Sequence, residues 1–152
     1  MNKITLAYAA GFYDGEGTVY INNLKHNIKN GRTIPSHCLV AEVTNTNKEV
    51  LMCFKEYFRG NIKYYSVDKL GNTGVGSKKP QWRWNVSGNQ AKDFFEAILP
   101  YLIVKRKQAE LAISFQINKK DLLNKERPFQ LVEVERREWY KQEISKLNQG
   151  KG

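Results

Sequence analysis

The stretch that most constrains this chain is Leu6-Ala7-Tyr8-Ala9-Ala10-Gly11-Phe12-Tyr13-Asp14-Gly15-Glu16-Gly17. It reads as one helix, N-capped by Thr5 and closed by an acidic, glycine-rich turn to which Gly15 and Gly17 are suited. Ala7, Ala10, Gly11 and Asp14 fall on one face at helical spacing. That face carries almost no side-chain bulk, so a second helix can approach its backbone closely. Leu6, Tyr8, Phe12 and Tyr13 lie on the other faces and are expected to pack inward. The electrostatics at the far end are adverse. A helix C-terminus carries partial negative charge and favours cations, yet this helix delivers two carboxylates there, Asp14 and Glu16. A bound divalent cation relieves the conflict, because Mg²⁺ takes carboxylate and carbonyl oxygens and keeps several waters. A solvated acidic turn is the competing explanation, since D-G-x-G turns are common.

Net charge narrows the choice of partner. The 152 residues carry +10, with a sequence pI near 9.6. An excess of this size points to a polyanion, with nucleic acid ahead of a membrane surface or an acidic protein. No apolar run approaches the roughly 18 residues that a membrane span requires, and Met1-Asn2-Lys3-Ile4-Thr5 lacks a signal-peptide pattern. Cys38 and Cys53 are isolated, and with His26 and His37 they show no zinc-ligand spacing. They are expected to be reduced thiols in an intracellular protein. A prokaryotic cytoplasm and an organelle (chloroplast or mitochondrion) remain equal possibilities.

Periodicity supplies the elements. Residues 18–25 and 38–44 alternate as strands around a polar hairpin tip at 26–36. Asn47 caps a helix reaching residue 58, and a third strand covers 62–67. A turn-rich stretch at 68–79 leads to a fourth strand at 81–86, where Trp82, Trp84 and Val86 oppose Gln81, Arg83 and Asn85. Helices follow at 90–99, stopped by Pro100, then at 105–117 and 132–147. The expectation is an α+β fold, αββαββα with added C-terminal helices, in a single domain over residues 1–147 with a disordered tail at 148–152. Hairpin-paired strands imply an antiparallel sheet with its helices on one face. The other face, with Tyr20, Asn22, Glu42, Arg83 and Asn85, forms a saddle suited to duplex DNA.

Ala9-Ala10-Gly11-Phe12-Tyr13-Asp14-Gly15-Glu16-Gly17 resembles the signature of the LAGLIDADG homing endonucleases in its A-G-F-x-D-G-E-G form, and the element order resembles that family's core over roughly residues 6–117. The resemblance implies that the helix joins two α/β halves, that Glu16 binds the catalytic metal and that the Gly15 carbonyl is a backbone ligand beside it. Leu99-Pro100-Tyr101-Leu102-Ile103-Val104-Lys105-Arg106-Lys107-Gln108-Ala109 is similar to the family's L-x-P-x-L-x-x-K-x-x-Q-A segment, which assigns Lys105 to the active site. Val43-Thr44-Asn45 is similar to a V-T-Q stretch, which makes Asn45 the candidate for ordering water. Lys48 is a nearby basic candidate.

DNA contacts are expected from Tyr20, Asn22, Lys25 and His26 on the first strand, and from Lys29 and Arg32 in the hairpin. Glu42, Lys63 and Tyr65 join them, with Lys78, Lys79, Gln81, Arg83 and Asn85 around the fourth strand. One copy of the acidic motif implies a homodimer joined through Ala7, Ala10, Gly11 and Asp14. The resemblance therefore implies a homodimeric, site-specific endonuclease that makes a divalent-metal-dependent double-strand break in a long pseudo-palindromic target. Mg²⁺ is the expected ion, Mn²⁺ can substitute, and Ca²⁺ binds without supporting cleavage. No membrane or small-molecule cofactor is implied. An intron RNA maturase and a non-catalytic DNA binder are the alternatives on the same fold.

Overall fold

Alternation between large apolar and polar side chains sorts the strands into two faces, and the computed structural model, which describes residues 4–27, 31–66 and 79–150, follows that sorting. The elements in chain order are α1 (Leu6–Glu16), β1 (Gly17–Asn27), β2 (Thr33–Asn45), α2 (Lys48–Phe58), β3 (Asn61–Tyr65), β4 (Gln81–Ser87), α3 (Gly88–Ile98), a 3₁₀ turn (Leu99–Tyr101), α4 (Arg106–Asn118) and α5 (Arg127–Asn148). The four strands form one antiparallel sheet in the order β1-β2-β4-β3.

Val19, Ile21, Leu39, Ala41, Val43, Trp84 and Val86 face the helices and form the core with Tyr13, Leu51, Phe54, Phe94 and Phe95. Trp84 is fully buried, and its indole N–H donates to the Arg59 carbonyl at 2.7 Å. Gly60 makes that approach possible. Its φ of +87° suits glycine, and a Cβ there would run into the Asn85 backbone and the Trp84 ring.

Both hairpin strands are longer than their sequence pattern suggests, because the β1–β2 ladder runs unbroken from Gly17↔Val43 to Asn27↔Thr33. Pro35 is tolerated in β2 because β4 pairs with that strand only from Val40 to Asn45, leaving the Pro35 edge outside the sheet interior. The disordered tail expected from residue 148 is corrected at its first residue. Asn148 closes α5, and its amide donates to the Val19 carbonyl at 2.7 Å. A second tie holds α5 to the sheet. Buried His37 on β2 meets Glu138 at 2.6 Å, and Asn23 donates to the same carboxylate oxygen at 2.8 Å.

Candidate active site and nucleic-acid interface

Thr5 caps α1 as expected, its hydroxyl accepting from the Tyr8 amide at 3.1 Å. The helix runs on through Gly15 to Glu16, and the last intrahelical bond is Gly17 N–H to the Tyr13 carbonyl. The motif's final glycine is explained by space rather than by a left-handed turn. Gly17 is extended, with φ −83°, and a Cβ there would clash with the Tyr13 ring, 2.4 Å from its nearest atom. Tyr13 is itself fully buried, packed edge-on against Phe94 and Phe95 at 5.2 and 5.5 Å between ring centroids. The signature thus locks the helix end against the core before the chain turns into β1.

The helix faces differ from expectation at two positions. Ala10 is fully buried in the chain's own core, with Ala9 and Tyr13. The small-residue row left open is instead Ala7, Gly11 and Gly15, four residues apart, and a Cβ on either glycine would meet nothing within 4 Å. Tyr8 also stays outward, 53% exposed, with its ring stacked 6.0 Å from Phe12.

Asp14 has a role that the sequence does not reveal. Its carboxylate accepts three backbone N–H groups from the segment before α4: Ile103 at 2.8 Å, Val104 at 3.2 Å and Lys105 at 2.9 Å. Lys105 then reaches back, its ammonium donating to the Asp14 carbonyl. That carbonyl belongs to the helix end, where the last turn's oxygens lack intrahelical donors. Burial lowers the Lys105 pKa below the ordinary lysine value, and the Asp14 and Glu16 carboxylates oppose the shift. The cation favoured at a helix C-terminus is therefore present, and it is Lys105.

Glu16 and Gly15 are both exposed at the helix end. An exposed carboxylate thus lies within electrostatic reach of Lys105, next to the Gly15 backbone carbonyl in the chain. That donor set fits Mg²⁺, which binds through one or two carboxylates and completes its shell with water and substrate phosphate. No group of three or more His, Cys, Asp or Glu able to hold a metal exists among the described residues.

Asn45 ends β2, and the Gly17↔Val43 pairing runs that strand end beside the tip of α1. Its side-chain oxygen accepts the Asn47 N–H at 2.8 Å, forming an Asx turn into α2, where Asn47 in turn caps through Glu49 N–H at 2.9 Å. The Asn45 amide nitrogen and the second lone pair of its oxygen stay open to water. Lys48 opens α2 and is exposed.

On the open face of the sheet, Tyr20, Asn22, Glu42, Arg83 and Asn85 sit on one side, as alternation requires. Lys63 and Tyr65 join them, paired opposite Arg83 and Gln81. Four of these residues contact one another. Tyr20 donates to Glu42 Oε2 at 3.1 Å, Arg83 Nε lies 3.1 Å from Glu42 Oε1, and the Arg83 guanidinium sits 4.4 Å above the Tyr65 ring. Burial and the neighbouring carboxylate push the Tyr20 pKa up to about 12, so its hydroxyl remains a donor. Burial also raises the Glu42 carboxyl, against the opposing pull of Arg83, Tyr20 and Lys63.

Lys25 departs from this group. In an unbroken ladder it alternates onto the helix side of the sheet, opposite Pro35. His26, Arg32 and Lys79 are exposed at the strand ends. Lys29 and Lys78 lie outside the described residues.

No family profile and no curated protein matches the chain. Solved structures do, and they show the fold to be that of the LAGLIDADG homing endonucleases. The homing endonuclease I-CvuI, in complex with DNA, superposes with a TM-score of 0.66 at 20% identity, over 93% of this chain and 80% of that one. The archaeal intron-encoded I-Vdi141I, also complexed with DNA, gives 0.66 at 20% identity over 93% and 82%. I-TnaI gives 0.59 at 15% identity over 94% of this chain and 99% of its own.

Proposed function

We propose that this chain is a site-specific DNA endonuclease that acts as a homodimer and depends on a divalent metal. The observation that carries the proposal is the junction of α1 with the segment before α4. Asp14 fixes three consecutive backbone amides, and this holds Lys105 at the carbonyl end of the helix that also presents Glu16 and Gly15. A lysine partly stripped of water, close to an exposed carboxylate, suits a phosphodiester better than a neutral substrate. The +10 charge and the polar sheet face support duplex DNA as the polymer. I-CvuI was solved on DNA with Mg²⁺ and with Ca²⁺, in keeping with a divalent ion at such a site.

Glu16 and the Gly15 carbonyl would hold the ion, which supplies activation of water and neutralisation of charge on the attacked phosphate. The protein's own groups divide the remaining work. Lys105 stabilises negative charge developing on the phosphate or the leaving oxygen. The Asn45 amide nitrogen orients water. Asp14 keeps Lys105 in place and so acts as a positioning residue. The Ala7-Gly11-Gly15 row permits close approach of a second α1 helix. Such a pairing places two Glu16 carboxylates side by side, one for each strand of the duplex.

The test is a cleavage selection. The protein is incubated with a randomised duplex pool in Mg²⁺ or in EDTA, and the cut ends are sequenced. The expected result is double-strand ends, only in Mg²⁺, clustered at one long near-palindromic sequence. Sequence-independent nicking, or no cutting in either Mg²⁺ or Mn²⁺, would overturn the proposal.

A further inference from the structure

We infer that Arg83 reads a guanine in the major groove and that Glu42, which itself makes no base contact, is the residue that aims it. This rests on the proposed action on duplex DNA and adds a base identity to one position of the target.

The geometry of the pair points there. Arg83 Nε is buried, with Glu42 Oε1 at 3.1 Å but without the alignment of a hydrogen bond, so the contact is an ion pair that occludes this nitrogen. The guanidinium plane lies against Tyr65. Nη1 and Nη2 make no hydrogen bond among the described residues, and the Arg83 side chain is 31% exposed. That terminal fork is the shape that donates to guanine O6 and N7 together.

Charge decides between a base and a phosphate. Phosphate contacts draw on net positive charge, and Glu42 cancels that of Arg83. The pair keeps its directed donors while losing most of its long-range pull on the backbone. Position agrees, because β4 lies between β2 and β3 in the sheet, not at its rim. Glu42 is a poor reader itself. Its side chain is 13% exposed, one oxygen faces Arg83, and the other accepts from Tyr20.

A binding selection from a randomised duplex pool in Ca²⁺ tests this, with each variant's melting curve taken to confirm folding. The wild type is expected to favour guanine at one symmetry-related pair of positions, on the order of tenfold to a hundredfold over other bases. Arg83→Ala should erase that preference and leave the remaining positions unchanged. Glu42→Gln should weaken it several-fold at the same pair alone, and Glu42→Asp should restore part of it. In the Arg83→Ala background, Glu42→Gln should have no further effect at that pair. A guanine preference that survives Arg83→Ala overturns the inference, as does a Glu42→Gln effect of equal size with and without Arg83. Those outcomes leave the proposed function standing. A wild type that selects no duplex sequence removes the function and this inference together.

Discussion

The carbonyl end of α1 and the open face of the sheet are built in opposite ways. At the helix end, side chains bind backbone. Asp14 takes three main-chain amides, Lys105 takes a main-chain carbonyl, and Gly17 lies under the Tyr13 ring. On the sheet, side chains bind side chains, with Tyr20 and Arg83 both on Glu42 and Arg83 over Tyr65. A backbone-held site tolerates little movement and suits chemistry, where small misplacements cost large factors in rate. A site held by cross-strand pairs can change its readout by substitution without disturbing the fold, which suits recognition.

The largest test of this division is Lys105→Met. Cleavage of the selected site should fall by about a hundredfold to a thousandfold, the usual cost of losing one charge-stabilising donor. DNA affinity should change by less than the loss of one phosphate contact. Single-turnover cleavage beside a gel shift measures both, and parallel losses would mean that Lys105 belongs to binding instead.

Asp14→Ala comes next. Removing the acceptor for three amides resembles the loss of a helix cap and should cost about 0.5–2 kcal/mol of stability by urea denaturation. Asp14→Asn, which keeps one acceptor oxygen, should lose less. Equal stability for Asp14→Ala and wild type would show that the junction does not hold the segment.

The smallest effect concerns α5, tied to the sheet by titratable groups. Burial pushes His37 below its ordinary pKa of about 6.5. The unfolded chain therefore takes up that proton first, so stability is full above about pH 6.5 and falls as pH drops below it. Glu138 is held below the usual carboxylate range, chiefly by its bond to His37, so its contribution is lost further into acid. Melting temperature should decline steadily from pH 7 toward pH 4, and Glu138→Gln should flatten the lower part of the curve. A curve for Glu138→Gln parallel to wild type would contradict the tie.

What could be read from the sequence follows the same division. Helix α1, the capping roles of Thr5 and Asn47, and the strand faces rest on local spacing, and the structure has them where the sequence puts them. Ala10 faces the chain's own core rather than the open row, because a helical wheel groups residues without saying which group meets that core. The Asp14 cap and the His37–Glu138 tie join residues some 90 to 100 positions apart, and no local pattern records such a pairing. Glu42 was legible as a face residue, but its partnership with Arg83 depends on the β2–β4 register.

If the α1 helix end is a metal-dependent nuclease site, Glu16 is the residue it cannot lose, and Glu16→Gln is the direct test. The substitution keeps the side chain's shape and removes the anionic oxygen that Mg²⁺ requires. It removes a negative charge from a helix C-terminus but also an attraction to Lys105, so the stability of the fold should change little. In a paired gel shift and cleavage assay in Mg²⁺, Glu16→Gln should bind the selected duplex as tightly as the wild type and fail to cut it. Cutting at a near wild-type rate would show that Glu16 holds no catalytic metal and that the α1 helix end is not the active site.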